Sequence, residues 1–247
     1  MAKRLEGVGW NALFLENHDQ PRSVSTWGGD DQMYRDQSAK CLATMYFLMK
    51  GTPFIYQGQE IGMMNVQYQS IDDYNDVAIK NMYHNEIAEG KSHKEIMQKI
   101  WKSGRDNSRT PMQWNHSVNA GFSTGNPWLK VNSNYEEINV AIQQNDPKSI
   151  LNYYKKLIAL RKHYDVLVYG KYQLELYNHH QVYAYTRHLN ENGAFVIANL
   201  FNKKTVINVP SQVFDKSPQL VLSNESDVKE LAAKITLKPY EALVYVW

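Results

Sequence analysis

Two chain textures, one after the other, predict an α/β portion followed by a small all-β domain. Three observations carry this. Two short apolar runs, Ala12–Leu15 and Thr52–Tyr56, each end in polar groups on the same side. Buried parallel strands look like this when they deliver side chains to a site at their C-terminal edge. A helical pattern lies between them, completing the strand–helix–strand unit of parallel α/β folds. From Tyr169 on, short β-branched and aromatic segments recur between turn residues, the pattern of an antiparallel sandwich. The domains expected are 1–168, with a long loop insertion at 61–146, and 169–247.

The first strand runs from Ala12 to Leu15. Pro21 holds Gln20 in extended backbone and keeps the strand from running on. Asp36 to Lys50 reads as a helix, with Ala39, Leu42, Ala43, Tyr46 and Met49 on one face. Gly51 suits the position just past its end and Pro53 follows as a stop. The insertion is polar and aromatic, and Ser92–Lys102 is the one helix expected in it. A connection this long is more often a binding insertion than a passive loop. Asp146 can cap a further helix with Pro147 in its first turn. That helix buries Ile150, Leu151, Tyr154, Leu157, Ile158 and Arg161. In the β-domain, strands are expected at Tyr172–Leu176, Val182–Arg187, Ala194–Asn199, Thr205–Val209, Gln219–Ser223, Ile235–Lys238 and Leu243–Trp247. Asn178–His180 and Asn190–Gly193 read as hairpin turns.

Composition narrows the class. Lys+Arg number 27 against 25 Asp+Glu, a net charge of +2, with no basic stripe, so nucleic acid is not an expected partner. The apolar runs fall far short of a membrane span. The single Cys41 excludes an intrachain disulfide. With no secretory apolar region after Met1–Glu6, the expectation is a cytoplasmic protein. The 17 Tyr and 6 Trp fill cores and also stack on sugar faces. No phosphate-cradling Gly loop, dinucleotide fingerprint or Gly-x-Ser-x-Gly elbow occurs. No cofactor is expected. No His, Cys or carboxylate cluster has the spacing of a metal site.

Three stretches carry candidate chemistry. Asn17-His18-Asp19 places an imidazole and a carboxylate at the end of a strand. A carboxylate there hydrogen-bonds hydroxyls or stabilises developing positive charge; the plainer alternative is a self-satisfied turn. In Gly104–Trp114, Arg105 and Arg109 can fork carboxylates. Arg109 and Asp106 read as loop-shaping residues, with Arg105 free to reach a pocket. In Tyr56-Gln57-Gly58-Gln59-Glu60, Gly58 permits a tight turn; Glu60 is an acid or base candidate by type alone, and a rim of hydrogen bonds is the preferred reading.

These same stretches carry a resemblance. Phe14–Arg22 resembles the last conserved region of the α-amylase superfamily, the family 13 glycoside hydrolases. Gly51–Met63 resembles that family's eighth barrel strand and the loop after it. Gly104-Arg105-Asp106-Asn107-Ser108-Arg109-Thr110-Pro111-Met112-Gln113-Trp114 is more specific and looks like the signature of the oligo-1,6-glucosidase group. That group also holds glucan 1,6-α-glucosidases, α-glucosidases and trehalose-6-phosphate hydrolases. The resemblance implies the last two strand–helix units of a (β/α)8 TIM barrel followed by the family's C-terminal β-sandwich.

Carried over by position, Asp19 matches the third catalytic carboxylate, which steadies the charged transition state without attacking. His18 matches a histidine that binds the same sugar, and Arg105 an arginine lining that subsite. The substrate implied is a gluco-oligosaccharide of isomaltose type. The family's nucleophile and acid/base come from earlier strands and match nothing here, so the resemblance implies a C-terminal part of a longer enzyme. A barrel alone needs about 250 residues. Such a part, inactive by itself, would self-associate or pair with its missing half. The sequence departs from the family at Gln59, where Glu is common. It departs again at Ala78, where some 1,6-specific members place a Glu. A carbohydrate-binding or purely structural module without chemistry is the alternative from another class.

Overall fold

The structure, a computed structural model, describes residues 7–225 and 229–247. The opening stretch 1–6, to which the expectation of no secretory leader refers, lies outside them.

The elements in chain order are β1 (Ala12–Leu13), α1 (Ser23–Trp27), α2 (Arg35–Phe47) and β2 (Thr52–Pro53), then α3 (Val77–Ala88), α4 (His93–Ser103), α5 (Val140–Asn145), α6 (Ile150–His163) and α7 (Val166–Tyr169). The β-domain follows with β3 (Lys171–Glu175), β4 (Val182–Leu189), β5 (Asn192–Asn199), β6 (Thr205–Asn208), α8 (Ser211–Phe214), β7 (Gln219–Ser223), β8 (Lys234–Leu237) and β9 (Ala242–Val246). The chain folds into two compact units. One holds residues 7–14, 28–54 and 152–247; the other holds 15–27 and 55–151.

In the first unit β1 and β2 pair in parallel, Ala12 opposite Thr52 and Leu13 opposite Pro53. Both are two residues long, shorter than the apolar runs. Phe14 and Phe54 beyond them are exposed. α2 stops at Phe47, three residues before the expected end, and its burial is not one-sided. Cys41, Thr44 and Phe47 are buried as well as Ala39, Leu42, Ala43 and Tyr46. Gly51 is therefore not the cap of α2. It takes φ +144, and a Cβ there would stand 2.4 Å from the Asn11 carbonyl, so it is glycine because two backbones meet. Cys41 of α2 joins a cluster with Ala198, Tyr240 and Ala242, and burial pushes its thiol well above the usual range.

The β-domain is a sandwich. A five-stranded sheet in the order β3-β4-β5-β9-β7 faces the pair β6-β8. Every pairing within it is antiparallel. Val182, Phe195, Ile197, Leu243 and Tyr245 from the large sheet share one core with Ile207, Ile235 and Leu237 from the small one. All seven expected strands are present. Asn190, at φ +54, turns the β4–β5 hairpin at the sequence the turn demands.

The second unit has more regular structure than its sequence shows. The insertion contains α3 and α5 besides α4. α3 escapes a periodicity reading because Ile79 is its one buried residue. α4 behaves as predicted, with Ser92 and Glu95 forming a capping box. Asp146 ends α5, and its side chain accepts from the Lys148 amide at 2.8 Å in the turn that leads to α6. α6 starts at Ile150, where Ser149 has already turned back to the Gln143 carbonyl. Val66, Ile71, Tyr74, Ile79, Ile96, Met97 and Ile100 form the apolar core here.

Candidate active site

The loops of the second unit converge on one side chain. Arg22 is wholly buried. Its Nη1 donates to Glu16 Oε2 at 3.1 Å and to the Gln57 carbonyl at 2.6 Å. Its Nε and Nη2 reach the carbonyls of Asn107 and Ser108 at 3.2 and 3.4 Å. The guanidinium also lies over the Tyr56 ring, 5.6 Å from its centre. Glu16 in turn accepts from the Ser23 amide and hydroxyl. Arg22 thus joins the three stretches that stand apart in sequence: 16–23, 56–58 and 105–109. Gly58 makes room for it. Its φ is +87, and a Cβ would stand 2.3 Å from Met63 Sδ and 3.1 Å from Arg22 Nη1.

On this base the segment after β1 forms a tight turn. The Asp19 amide donates to Asn17 Oδ1 at 2.8 Å, an Asx turn that fixes where His18 and Asp19 project. The side chains of His18 and Asp19 are 71% and 52% exposed, with Nε2 3.3 Å from Oδ2. Asp19 Oδ1 faces two guanidinium groups. Arg109 Nη2 donates to it at 2.9 Å and Arg105 Nη1 lies 3.5 Å away. The three residues expected at the site therefore do come together.

Behind them stand two buried carboxylates that sequence reasoning missed or set aside. Arg105 forks Asp76, Nε to Oδ2 at 2.6 Å and Nη2 to Oδ1 at 2.7 Å. Asp76 also accepts from the Ala78 amide as the cap of α3. The Arg105 bond, before any other cause, holds the Asp76 carboxyl below its ordinary range. The same fork pushes the Arg105 guanidinium further up. Asp106 Oδ2 accepts the amides of Asn75 and Asp76 at 2.7 and 2.9 Å. Arg109 links all of these. Its Nε donates to the His18 carbonyl at 2.8 Å, while Nη1 lies 3.7 Å from Asp76 and 3.6 Å from Asp106. Arg109 does more than shape its own loop, because it fastens the His18–Asp19 turn to the anionic floor. A helix cap beside a Tyr74-Asn75 pair was the available signal for Asp76; only the missed α3 concealed it.

Glu60 lies in the turn after Gly58. One of its oxygens is buried with no hydrogen-bond partner among the described residues, and burial pushes its carboxyl up. It is less satisfied than a rim network would leave it. Among the described residues no group of three His, Cys, Asp or Glu could hold a metal ion. None of the described helices is long and apolar enough to cross a membrane.

A short parallel strand pair whose first strand leads into a turn bearing a carboxylate and an imidazole is an arrangement of α/β barrels, where side chains for chemistry follow the C-terminal ends of strands. The chain belongs to the α-amylase family: its residues 1–170 match the alpha amylase catalytic domain, and residues 182–244 match the alpha-amylase SusG C-terminal domain. It is 52% identical over 244 residues to a probable oligo-1,6-glucosidase 3 of Bacillus subtilis, covering 98% of this chain and 44% of that protein. It is 51% identical to an oligo-1,6-glucosidase of Parageobacillus thermoglucosidasius, covering 98% of this chain and 43% of that one. A crystal structure of Bacillus licheniformis trehalose-6-phosphate hydrolase superimposes with a TM-score of 0.95 at 43% identity, over 99% of this chain and 44% of that one. The chain thus spans less than half the length of these relatives. Its fold is the last part of their barrel with the β-domain that follows.

Proposed function

We propose that this chain supplies one wall of the sugar subsite of an exo-acting, retaining α-glucosidase acting on α-1,6 links in short gluco-oligosaccharides. Asp19 would bind sugar hydroxyls and steady the positive charge that develops at the transition state. His18 would donate to the same sugar, and Arg105 would both recognise it and hold Asp19 in place. The observation that carries this reading is the half-exposed Asp19 carboxylate, backed by two guanidinium groups on its inner side.

The nucleophile and acid/base would come from the part of such an enzyme that this chain does not span. Alone, the chain is expected to hydrolyse nothing, since loss of either group costs orders of magnitude. The open edges of β1 and β2, with Phe14 and Phe54 exposed, fit association with a complementary half-barrel. We place the domain division at 168/169 and the protein in the cytoplasm.

A chimera tests the reading. This chain replaces the corresponding part of the Parageobacillus enzyme. The expected chimera cleaves isomaltose, and Asp19→Asn in it lowers kcat/KM by about three orders of magnitude, roughly 4 kcal/mol. Unchanged turnover in Asp19→Asn would refute the assignment. The likeness to trehalose-6-phosphate hydrolases supports a second reading, which the same chimera settles. Preference for trehalose 6-phosphate over isomaltose would move the substrate to that class.

A further inference from the structure

We propose that the β-domain carries a second, non-catalytic site for a neutral sugar, in the cleft beside Trp247. None of its residues belongs to the loops around Asp19, and the inference stands whether or not the glucosidase reading does.

The cleft has a volume of about 670 Å³, within the range of small-ligand pockets. It lies between the turn joining α6 to α7, the loop before β7, and the ends of β5 and β9. Its tryptophan is held firmly. Trp247 and Gly193 exchange two backbone hydrogen bonds, at 3.0 and 3.1 Å. A Cβ on Gly193 would stand 2.0 Å from the indole ring, so the ring lies directly over that strand's backbone. His188 meets it edge-on at 5.7 Å. The indole is half-buried and lines the cleft.

The polar groups around it are unspent. Asn192, Gln219, Asp165, Lys216 and His163 line the cleft. Among the described residues, none of these side chains makes a hydrogen bond or ion pair. Lys216 and Asp165 carry opposite charges, so these two side chains give the lining no net charge. The two amides each offer a donor pair and an acceptor, the complement of neighbouring hydroxyls on a ring. The indole offers an apolar face for the ring's C–H groups. A pyranose has both features, and few other neutral metabolites do.

Calorimetric titration of the whole chain with maltotriose and isomaltotriose tests this, together with the indole N–H shift of Trp247 by NMR. Saturable binding at about millimolar affinity is expected, with the Trp247 signal moving in step. The double variant Asn192→Ala/Gln219→Ala alters two exposed side chains and should weaken binding about tenfold or more. In Asp19→Asn the Trp247 signal should still move and should saturate at the same sugar concentration. Absence of saturation, an unaffected double variant, or loss of the Trp247 shift in Asp19→Asn would each overturn the proposal. Activity of the chimera described above bears on the glucosidase reading alone, so the two can fail separately.

Discussion

Arg22 and Arg187 are both wholly buried, and they are held in different ways. Arg22 sits among loops and pairs with a buried carboxylate, Glu16, as well as with carbonyls. Arg187 leaves β4 and donates to the carbonyls of Leu48, Leu167, Val168 and Gly170. These are the ends of α2 and α7, where carbonyls lack helical partners and a cation is favoured. The strand-built unit already has ladders and an apolar core, so its arginine finishes helix ends. The loop-built unit has no ladder of its own, and its arginine must hold three segments at once. Buried polar side chains recur there for the same reason. Asn107 accepts from the Val66 amide, and Gln143 donates to the Ile61 carbonyl.

The strongest test of that contrast is Arg22→Met. It strands Glu16 as an unpaired buried charge, which costs about 3–5 kcal/mol. Hydrogen exchange should accelerate in 56–65 and 105–109, with the β5–β9 ladder as internal reference. Arg187→Met leaves carbonyls unsatisfied but is not expected to strand a carboxylate. Its expected cost is smaller, about 1–3 kcal/mol, seen as lost protection at the ends of α2 and α7. If it costs more than Arg22→Met by chemical denaturation, the contrast is wrong.

A smaller effect is expected at the capping box. Ser92→Ala should cost about 1 kcal/mol, confined to faster exchange in the first turn of α4. The smallest lever is the Arg105–Asp76 fork, which solvent partly screens. Asp76 titrates below its unfolded value, so the fork's contribution is present above that value, about pH 4. It is lost as pH falls through the lower folded value. Acid titration should therefore loosen the start of α3 in the native chain. In Arg105→Ala that acid step should shrink, and an unchanged step would exclude the fork as its source.

Much of this molecule is legible one stretch at a time. The strands of the β-domain follow from alternating β-branched and aromatic residues, and the hairpin turn at Asn190 from its turn chemistry. The box at Ser92 is two side chains three residues apart. His18, Asp19 and Arg105 stand in motifs whose residue types announce polar work at a strand end. Local reading fails where a residue's partner is distant. α3 buries only Ile79, so its sequence lacks a stripe. Asp146 has the right type for a helix cap, but the chain turns once more before α6 begins.

The sequence by itself determined the two fold classes, most element positions and the side chains offered at the site. Those depend on periodicity, capping and turn preference, which act over a few residues. Only the tertiary structure decided that Asp76 backs Arg105, that Arg109 fastens the His18–Asp19 turn, and that Arg22 is the joint of the whole site. Each of these is a hydrogen bond from a guanidinium to a carboxylate or a backbone carbonyl 29 to 91 positions away in the chain. At Arg22 and Asp76 burial removes water as a partner, a condition that exists only once the loops have closed around them.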